Sequence, residues 1–313
     1  SDGNKILDLF KKIQKIDLSK DSKEILKISL LTNSYFPTKN ISYEKFLKLK
    51  HEWLLKNSDL NLIEEYLIKN PKIKNNDKLI KYLVNEYLSR SELEKSCNIL
   101  SQINYPTEDE YLSKFNIYCL ISENKKEEAQ LLLDLKMELG FKDVFFEKKF
   151  NYLMEYNLEI DEEISEKNIL DFHLSHRTNP NFFFEPNSST SKKIWRYLST
   201  SNLLINLDSI DLADSTKILS IEKATHEGNY TEEELFEFYK RFQFNINQLL
   251  NVKQSYKLLN GIESRALLYQ GILINNEIDK KLELIKILKQ SFIKEGNTNA
   301  FNNELVSILE EIK

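Results

Sequence analysis

Two histidines three residues apart, His173 and His176, form the pattern in this chain that comes nearest to a metal site. On a helix, residues with this spacing share a face, so both imidazoles could reach one ion. A zinc site needs three or four ligands, and Asp171 is too close in sequence to complete such a set. We therefore interpret the pair as ordinary helix-end histidines stabilised by the C-terminal helix dipole, together with Arg177, and predict no metal site.

Carboxylates occur as adjacent pairs, such as Glu64–Glu65, Glu162–Glu163 and Glu310–Glu311. Neighbouring residues on a helix point about 100° apart, so these pairs cannot work together as general acid and general base. The sequence also lacks a glycine-rich phosphate loop, a GxSxG elbow and an HExxH motif. We expect no catalytic residues and no cofactor, and the chain is predicted not to be an enzyme.

The composition indicates which elements must position any functional side chain. The 313 residues are 41% hydrophobic and 30% charged, yet they include only 6 Gly and 5 Pro. Sheets and loop-rich folds need many Gly and Pro turns, whereas helix interiors exclude both residues. The sequence therefore predicts an all-α protein whose helices are joined by short polar turns.

Charge and hydropathy limit the classes of partner. The net charge is -5, with 19 basic and 14 acidic residues in positions 1–100 and 25 and 35 in the remainder. Basic residues cluster only in pairs such as Lys192–Lys193, so no nucleic-acid partner is expected. No apolar run reaches the roughly 18 residues of a membrane span. The Lys-, Asn- and Ile-rich composition suggests a bacterial genome rich in A and T, and leaves the cytoplasm and the periplasm open as compartments.

Apolar residues recur at spacings of three and four along most of the chain, which is the helical signal. Helices are predicted over 4–16, 22–32, 43–56, 59–69, 77–89, 166–177, 191–203, 214–227, 231–243, 245–259, 261–275, 279–295 and 298–312, with further starts near 92, 108, 125 and 142. The capping-box pattern places helix starts at Ser91/Glu94, Thr107/Glu110 and Thr231/Glu234. Gly140, Gly228 and Gly296 stand where helices should end.

The spacing of the predicted starts indicates a repeat. From residue 43 to residue 142, every second start lies about 31–34 residues further along the chain. A period of this length made of two helices is typical of an α-solenoid, a superhelix of antiparallel helix pairs. One pair cannot bury its apolar face alone, so successive pairs must stack.

Two segments resemble the second helix of a tetratricopeptide repeat: Glu94-Lys95-Ser96 with Leu100, and Glu127-Glu128-Ala129 with Leu133. Ser96 and Ala129 are 33 residues apart and match the family's small-residue position, where two helices approach closely. One period earlier, Leu67 fits the pattern, while Ile63 is larger than the family's residue. The resemblance covers roughly residues 43–156 and implies a repeat-like scaffold whose first helices line a concave face.

The period stops after residue 160. We predict a tetratricopeptide-like region over 1–165 and a less regular helical region over 166–313, which either continues the superhelix or forms a separate bundle. Cys97 and Cys119 fall on consecutive predicted helices. We expect them at different heights on the two helices, and therefore as small buried residues without a disulfide bond.

The longest predicted break runs from Thr178 to Thr190 and contains Phe182, Phe183 and Phe184. Three exposed phenylalanines would leave an apolar patch in water, which soluble proteins avoid unless a partner covers it. One interpretation is a plug that joins the two helical halves; the other is an aromatic anchor for a partner. We predict the plug, with at least two of the three rings buried.

The predicted function is non-catalytic binding of a protein or peptide partner. Four tyrosines on the predicted first helices are candidate contact residues, with core packing as the alternative for each: Tyr82, Tyr87, Tyr111 and Tyr118. A second hypothesis is the helical accessory region of a bacterial cell-wall lytic enzyme, because Glu263-Ser264 at a helix start resembles the acid position of lysozyme-like enzymes. The oligomeric state is not predicted.

Overall fold

The computed structural model describes residues 2–312 except 14, 17, 33–35, 58, 71–75, 104–107 and 188. Helices make up 70% of it, and its described residues contain no strand, only an isolated bridge between Asp2 and Lys39. The all-α prediction is therefore confirmed. The chain forms two compact units, one of residues 1–88 and 92–161, the other of 89–91 and 162–313.

In the described part of the first unit the helices are α1 (Gly3–Ile13), α2 (Lys20–Leu31), α3 (Tyr43–Asn57), α4 (Leu60–Lys69), α5 (Asp77–Leu88), α6 (Leu93–Ile103), α7 (Glu110–Ser122), α8 (Lys126–Glu138) and α9 (Val144–Leu153). Aspartates begin three of them, because the side chains of Asp59, Asp109 and Asp143 accept a hydrogen bond from the backbone N–H three residues on. Such caps satisfy N–H groups that have no partner within the helix.

The closest helix pairs in the described part of the first unit are α5 with α6 and α7 with α8. Helix α5 packs against α4 and α6 and also contacts α3 and α7, while α7 packs against α8 and also contacts α5 and α9. Ser96 and Ala129, predicted to be buried at close helix crossings, are both completely buried, which confirms the predicted burial. One period earlier, the larger Ile63 is buried as well.

The turns that end α5, α7 and α9 share one backbone conformation. Ser91, Asn124 and Glu155 all have a positive φ, between 60° and 65°. In each turn the next N–H donates to a carbonyl five residues back: Glu92 to Tyr87, Lys125 to Leu120 and Tyr156 to Asn151. These are left-handed helix ends. Helix α6 begins at Leu93, which confirms a helix start near residue 92, whereas the predicted cap at Ser91 is wrong because Ser91 belongs to the left-handed turn. Thr107 lies outside the described residues.

Cys97 and Cys119 form a disulfide bond, with Cα atoms 5.5 Å apart, so the prediction that they stay unbridged is wrong. Helices α6 and α7 are antiparallel neighbours, and Cys97 lies on the early part of α6 while Cys119 lies near the end of α7. These positions fall at the same end of the pair. Counted along the sequence, Cys97 and Cys119 lie at unequal distances from the connection between the two helices. In space this inequality is small enough for the two sulfur atoms to bond.

In the second unit the described helices are α10 (Ile169–Arg177), α11 (Lys192–Thr200), α12 (Ser215–His226), α13 (Glu232–Lys240), α14 (Ile246–Leu250), α15 (Val252–Ser255), α16 (Gly261–Ile274), α17 (Ile278–Lys294) and α18 (Asn303–Ile312). Helix α16 is central, because it contacts α12, α13, α14, α15 and α17. Its Gly271 lies so close to Val252 that a Cβ there would be 2.7 Å from a valine methyl group. No helix in the described part of either unit is long and apolar enough to cross a membrane.

We predict that Ala129→Leu lowers the free energy of unfolding by about 1–3 kcal/mol, because a larger side chain at a completely buried crossing forces its neighbours apart. Urea unfolding of the two proteins measures the change. Glu128→Leu, at the adjacent exposed position of α8, is the matched control and should remain within about 0.5 kcal/mol of the wild type. Equal stability of Ala129→Leu and wild type would contradict the close crossing.

We also predict that removing the disulfide with Cys97→Ser/Cys119→Ser lowers the free energy of unfolding by about 3 kcal/mol. The bond joins residues 22 apart in sequence, and a loop of this length restricts the unfolded chain by roughly that amount. Urea unfolding with and without a reductant tests this. The reductant should destabilise the wild type and leave the double variant unchanged; a wild type insensitive to full reduction would refute the prediction.

Candidate binding surfaces

A groove of about 470 Å³ lies on the first unit between α3, α5 and the residue that precedes α7. Its lining combines apolar and charged side chains: Glu44, Leu47, Lys48, His51, Glu52, Leu55, Asp77, Lys78 and Asp109. His51 is buried with its ring edge-on to Tyr66, and burial lowers its pKa to about 4. The imidazole is therefore neutral near pH 7, and the positive charges of the groove lining belong to Lys48 and Lys78.

A series of ion pairs accompanies the helices that border this groove. Lys81 of α5 pairs with Asp109 at 2.7 Å, and Lys114 of α7 pairs with Asp143 at 2.7 Å. Each aspartate also caps the following helix of the series. Lys48, one 33-residue period before Lys81, is exposed and has no ion pair among the described residues. Of the three lysines at this spacing, Lys48, Lys81 and Lys114, Lys48 is the exposed one, and it lines the groove.

The structure places the four candidate tyrosines in two environments. Tyr87 and Tyr118 are buried, and the Tyr87 hydroxyl donates to Glu64 at 2.8 Å. Tyr82 and Tyr111 are half-buried, and the Tyr111 hydroxyl donates to Asn85. The buried pair matches the core-packing alternative, whereas the half-buried pair retains surface that a partner can contact. Their role in binding remains a prediction.

The phenylalanines of the 178–190 loop alternate between packed and exposed. Phe182 and Phe184 are half-buried and meet the edge of Phe172 on α10, with ring centroids 5.5 and 5.0 Å apart. Phe183 is 69% exposed. The prediction that at least two of the three rings are buried is therefore wrong. The two packed rings contact a helix of their own unit, and Phe183 remains a candidate contact residue.

The two histidines of α10 form hydrogen bonds and ring contacts. His176 Nδ1 is 2.6 Å from the Tyr197 hydroxyl, and the His173 ring meets the Tyr197 ring edge-on. Burial and the neighbouring charge of Arg177 lower the pKa of His173 to about 3 and also lower the pKa of His176. The residues that the structure describes contain no group of three or more side chains able to hold a metal ion.

A buried polar cluster in the second unit escaped the sequence analysis. Arg265 donates from Nε and Nη2 to the two Glu222 carboxylate oxygens at 2.9 and 2.6 Å, and the Tyr239 hydroxyl donates to Glu222 at 2.5 Å. Burial raises the pKa of Glu222, and the guanidinium of Arg265 opposes that shift. All three side chains are at most 1% exposed, so a substrate in solvent cannot reach them. The cluster therefore supports the core.

A second concave surface lies between the 202–208 segment and α13 of the second unit, in a cleft of about 700 Å³. Its lining includes four acidic side chains and no basic one: Asp208, Glu233, Glu234 and Glu237. Tyr230 also lines it, and its hydroxyl donates to the Ile205 carbonyl at 3.0 Å. Such a lining favours a cationic ligand over an anionic one. The sequence analysis missed it because the acidic residues come from two distant segments.

Glu263, the candidate acid of the lytic-enzyme hypothesis, lies half-buried in the first turn of α16. Its backbone N–H donates to the Asn260 side chain at 2.8 Å, which makes it part of an ordinary helix start. It lines neither the groove nor the acidic cleft. This placement gives the lytic-enzyme hypothesis no geometric support.

Comparisons with protein-family models, characterised proteins and solved structures found no significant match to this chain.

The His173 environment predicts a loss of stability in acid. The folded pKa of about 3 lies below the unfolded value of 6.5, so the unfolded state binds the extra proton as the pH falls below about 6.5. Between pH 7 and pH 5 this costs the folded state about 2 kcal/mol. Urea unfolding at both pH values should therefore show a drop about 2 kcal/mol larger in the wild type than in His173→Gln. An identical drop in both proteins would contradict the buried neutral imidazole.

Proposed function

We propose that the chain is a non-catalytic helical-repeat scaffold that binds a protein or peptide partner in the groove of the first unit. The proposal rests on the position of this groove among the helices. It is lined by α3, α5 and the cap of α7, which alternate along the chain with α4 and α6. Alternate helices of a stacked repeat form one continuous surface, which is where such proteins bind extended partners.

Three features at one period support a tetratricopeptide-like α-solenoid for this region. The buried positions Ser96 and Ala129 are 33 residues apart, as are the left-handed turn residues Ser91 and Asn124. The lysines of two successive ion pairs, Lys81 and Lys114, have the same spacing. A helical pair that repeats its crossing, its turn and its ion pair is typical of a solenoid.

The chemistry of the groove suits a peptide better than a small molecule. Leu55 is half-buried and offers apolar surface beside the buried Leu47, with Lys48, Lys78, Glu44 and Glu52 around it. Mixed charges of this kind select partners by complementary side chains along a segment.

The disulfide between Cys97 and Cys119 favours an oxidising compartment, and so the periplasmic alternative over the cytoplasmic one.

The groove is tested by exchanging two exposed charges, in the variant Lys48→Glu/Glu52→Lys. Both proteins serve as bait in extracts of the source organism, and quantitative mass spectrometry compares what each retains. We expect at least one protein to bind the wild type and to fall about fivefold or more on the variant, since a reversed charge pattern repels the matched partner.

The matched control is Lys289→Glu/Glu310→Lys, which exchanges two exposed charges in the second unit and should retain the partner at the wild-type level. Circular dichroism verifies that each variant is folded. Equal retention of every bound protein by wild type and groove variant would exclude the groove as the binding site.

A further inference from the structure

Helix α8 exposes an apolar stripe on the side that faces solvent. Leu131, Leu135 and Leu139 are 71%, 51% and 75% exposed. They follow one another at intervals of four, so they lie in one row along the helix and its C-terminal cap. The buried residues of the same helix, Ala129 and Leu133, lie on roughly the opposite side at about 100° per residue.

The stripe is not needed to hold α8 in the fold. Ala129 and Leu133 already provide the buried side of the helix, with exposures of 0% and 3%. Three large exposed leucines in a row are unusual on a soluble protein, and apolar patches of this kind mark sites where a partner docks. None of the three lines the groove of the first unit, so this is a separate surface.

Acidic side chains surround the stripe. Glu127, Glu128, Asp134 and Glu138 are all exposed on α8. At about 100° per residue, all four fall within roughly 60° of Leu131 around the helix. Between residues 127 and 139 the single basic residue is Lys136, which is half-buried. The solvent side of α8 is therefore a row of leucines with negative charge around it.

We propose that this surface docks a basic amphipathic helix of a partner protein. An apolar row of that helix would pack on Leu131, Leu135 and Leu139, and its flanking Lys and Arg would lie against the carboxylates. A second copy of this chain fits less well, because two α8 helices in contact would bring acidic residues against acidic residues. An anionic membrane surface meets the same repulsion.

The probe is a fluorescein-labelled synthetic helix with leucines at intervals of three and four and lysines beside them, measured by fluorescence anisotropy against the whole chain. We expect saturable binding that weakens as NaCl rises from 50 to 500 mM, since the charges around the stripe are screened. Leu131→Gln/Leu135→Gln should raise the Kd about tenfold or more, because truncated apolar anchors dominate such losses. Glu127→Lys/Glu138→Lys should also raise it. Both pairs of sites are exposed, so the variants should fold like the wild type.

Two controls separate docking on α8 from general stickiness. Leu258→Gln removes a leucine that is 86% exposed in the second unit and should leave the Kd unchanged, and a peptide with glutamates in place of lysines should not bind. The proposal is overturned if the probe does not bind, or if its Kd is the same for wild type and Leu131→Gln/Leu135→Gln. It is also overturned if sedimentation equilibrium shows a dimer that this variant abolishes, since the occupant would then be a second copy.

Discussion

The described helices of the first unit have 15 residues or fewer and are too short to be stable alone, so each must bury its apolar side against neighbouring helices. Where two such helices meet, a small residue lets them approach closely. Ser96 on α6 is such a residue, because it is completely buried and its hydroxyl donates to the Val84 carbonyl of α5 at 3.5 Å. Ala129 on α8 and the larger Ile63 on α4 are completely buried as well.

Contacts between apolar side chains do not fix the position of one helix along the axis of its neighbour. The ion pairs between lysine and aspartate constrain this register in the first unit. Asp143 accepts a hydrogen bond from a backbone N–H of α9 and an ion pair from Lys114 of α7, so one carboxylate both begins a helix and links it to its predecessor. Lys114 is only 5% exposed. A buried ammonium without a partner would be very unfavourable, so a shifted register would cost far more than the pair itself contributes.

Local signals were predictable from the sequence, and contacts between distant segments were not. Thr231 and Glu234 form the expected capping box, and Gly140 has the positive φ expected after a helix, because both depend on a few neighbouring residues. Ser91 matched the capping pattern equally well, but the left-handed turn that ends α5 determines its conformation. The disulfide and the Glu222–Arg265 pair had no sequence signal, since each joins residues 22 or 43 apart. The helical period predicted only that the first helices line one face. The residues that line the groove could be identified only from the structure.

Helices α8 and α16 show why a sequence pattern cannot assign a binding surface by itself. Both carry apolar residues around most of their circumference, a pattern typical of buried helices. Helix α16 has five neighbouring helices and buries nine of its fourteen residues. Helix α8 packs mainly against α7 and buries only Ala129 and Leu133. The same pattern thus produces a core in one unit and an exposed leucine row in the other. The number of neighbours makes the difference, and the row on α8 offers a partner helix the apolar contact that α17 and α13 give to α16.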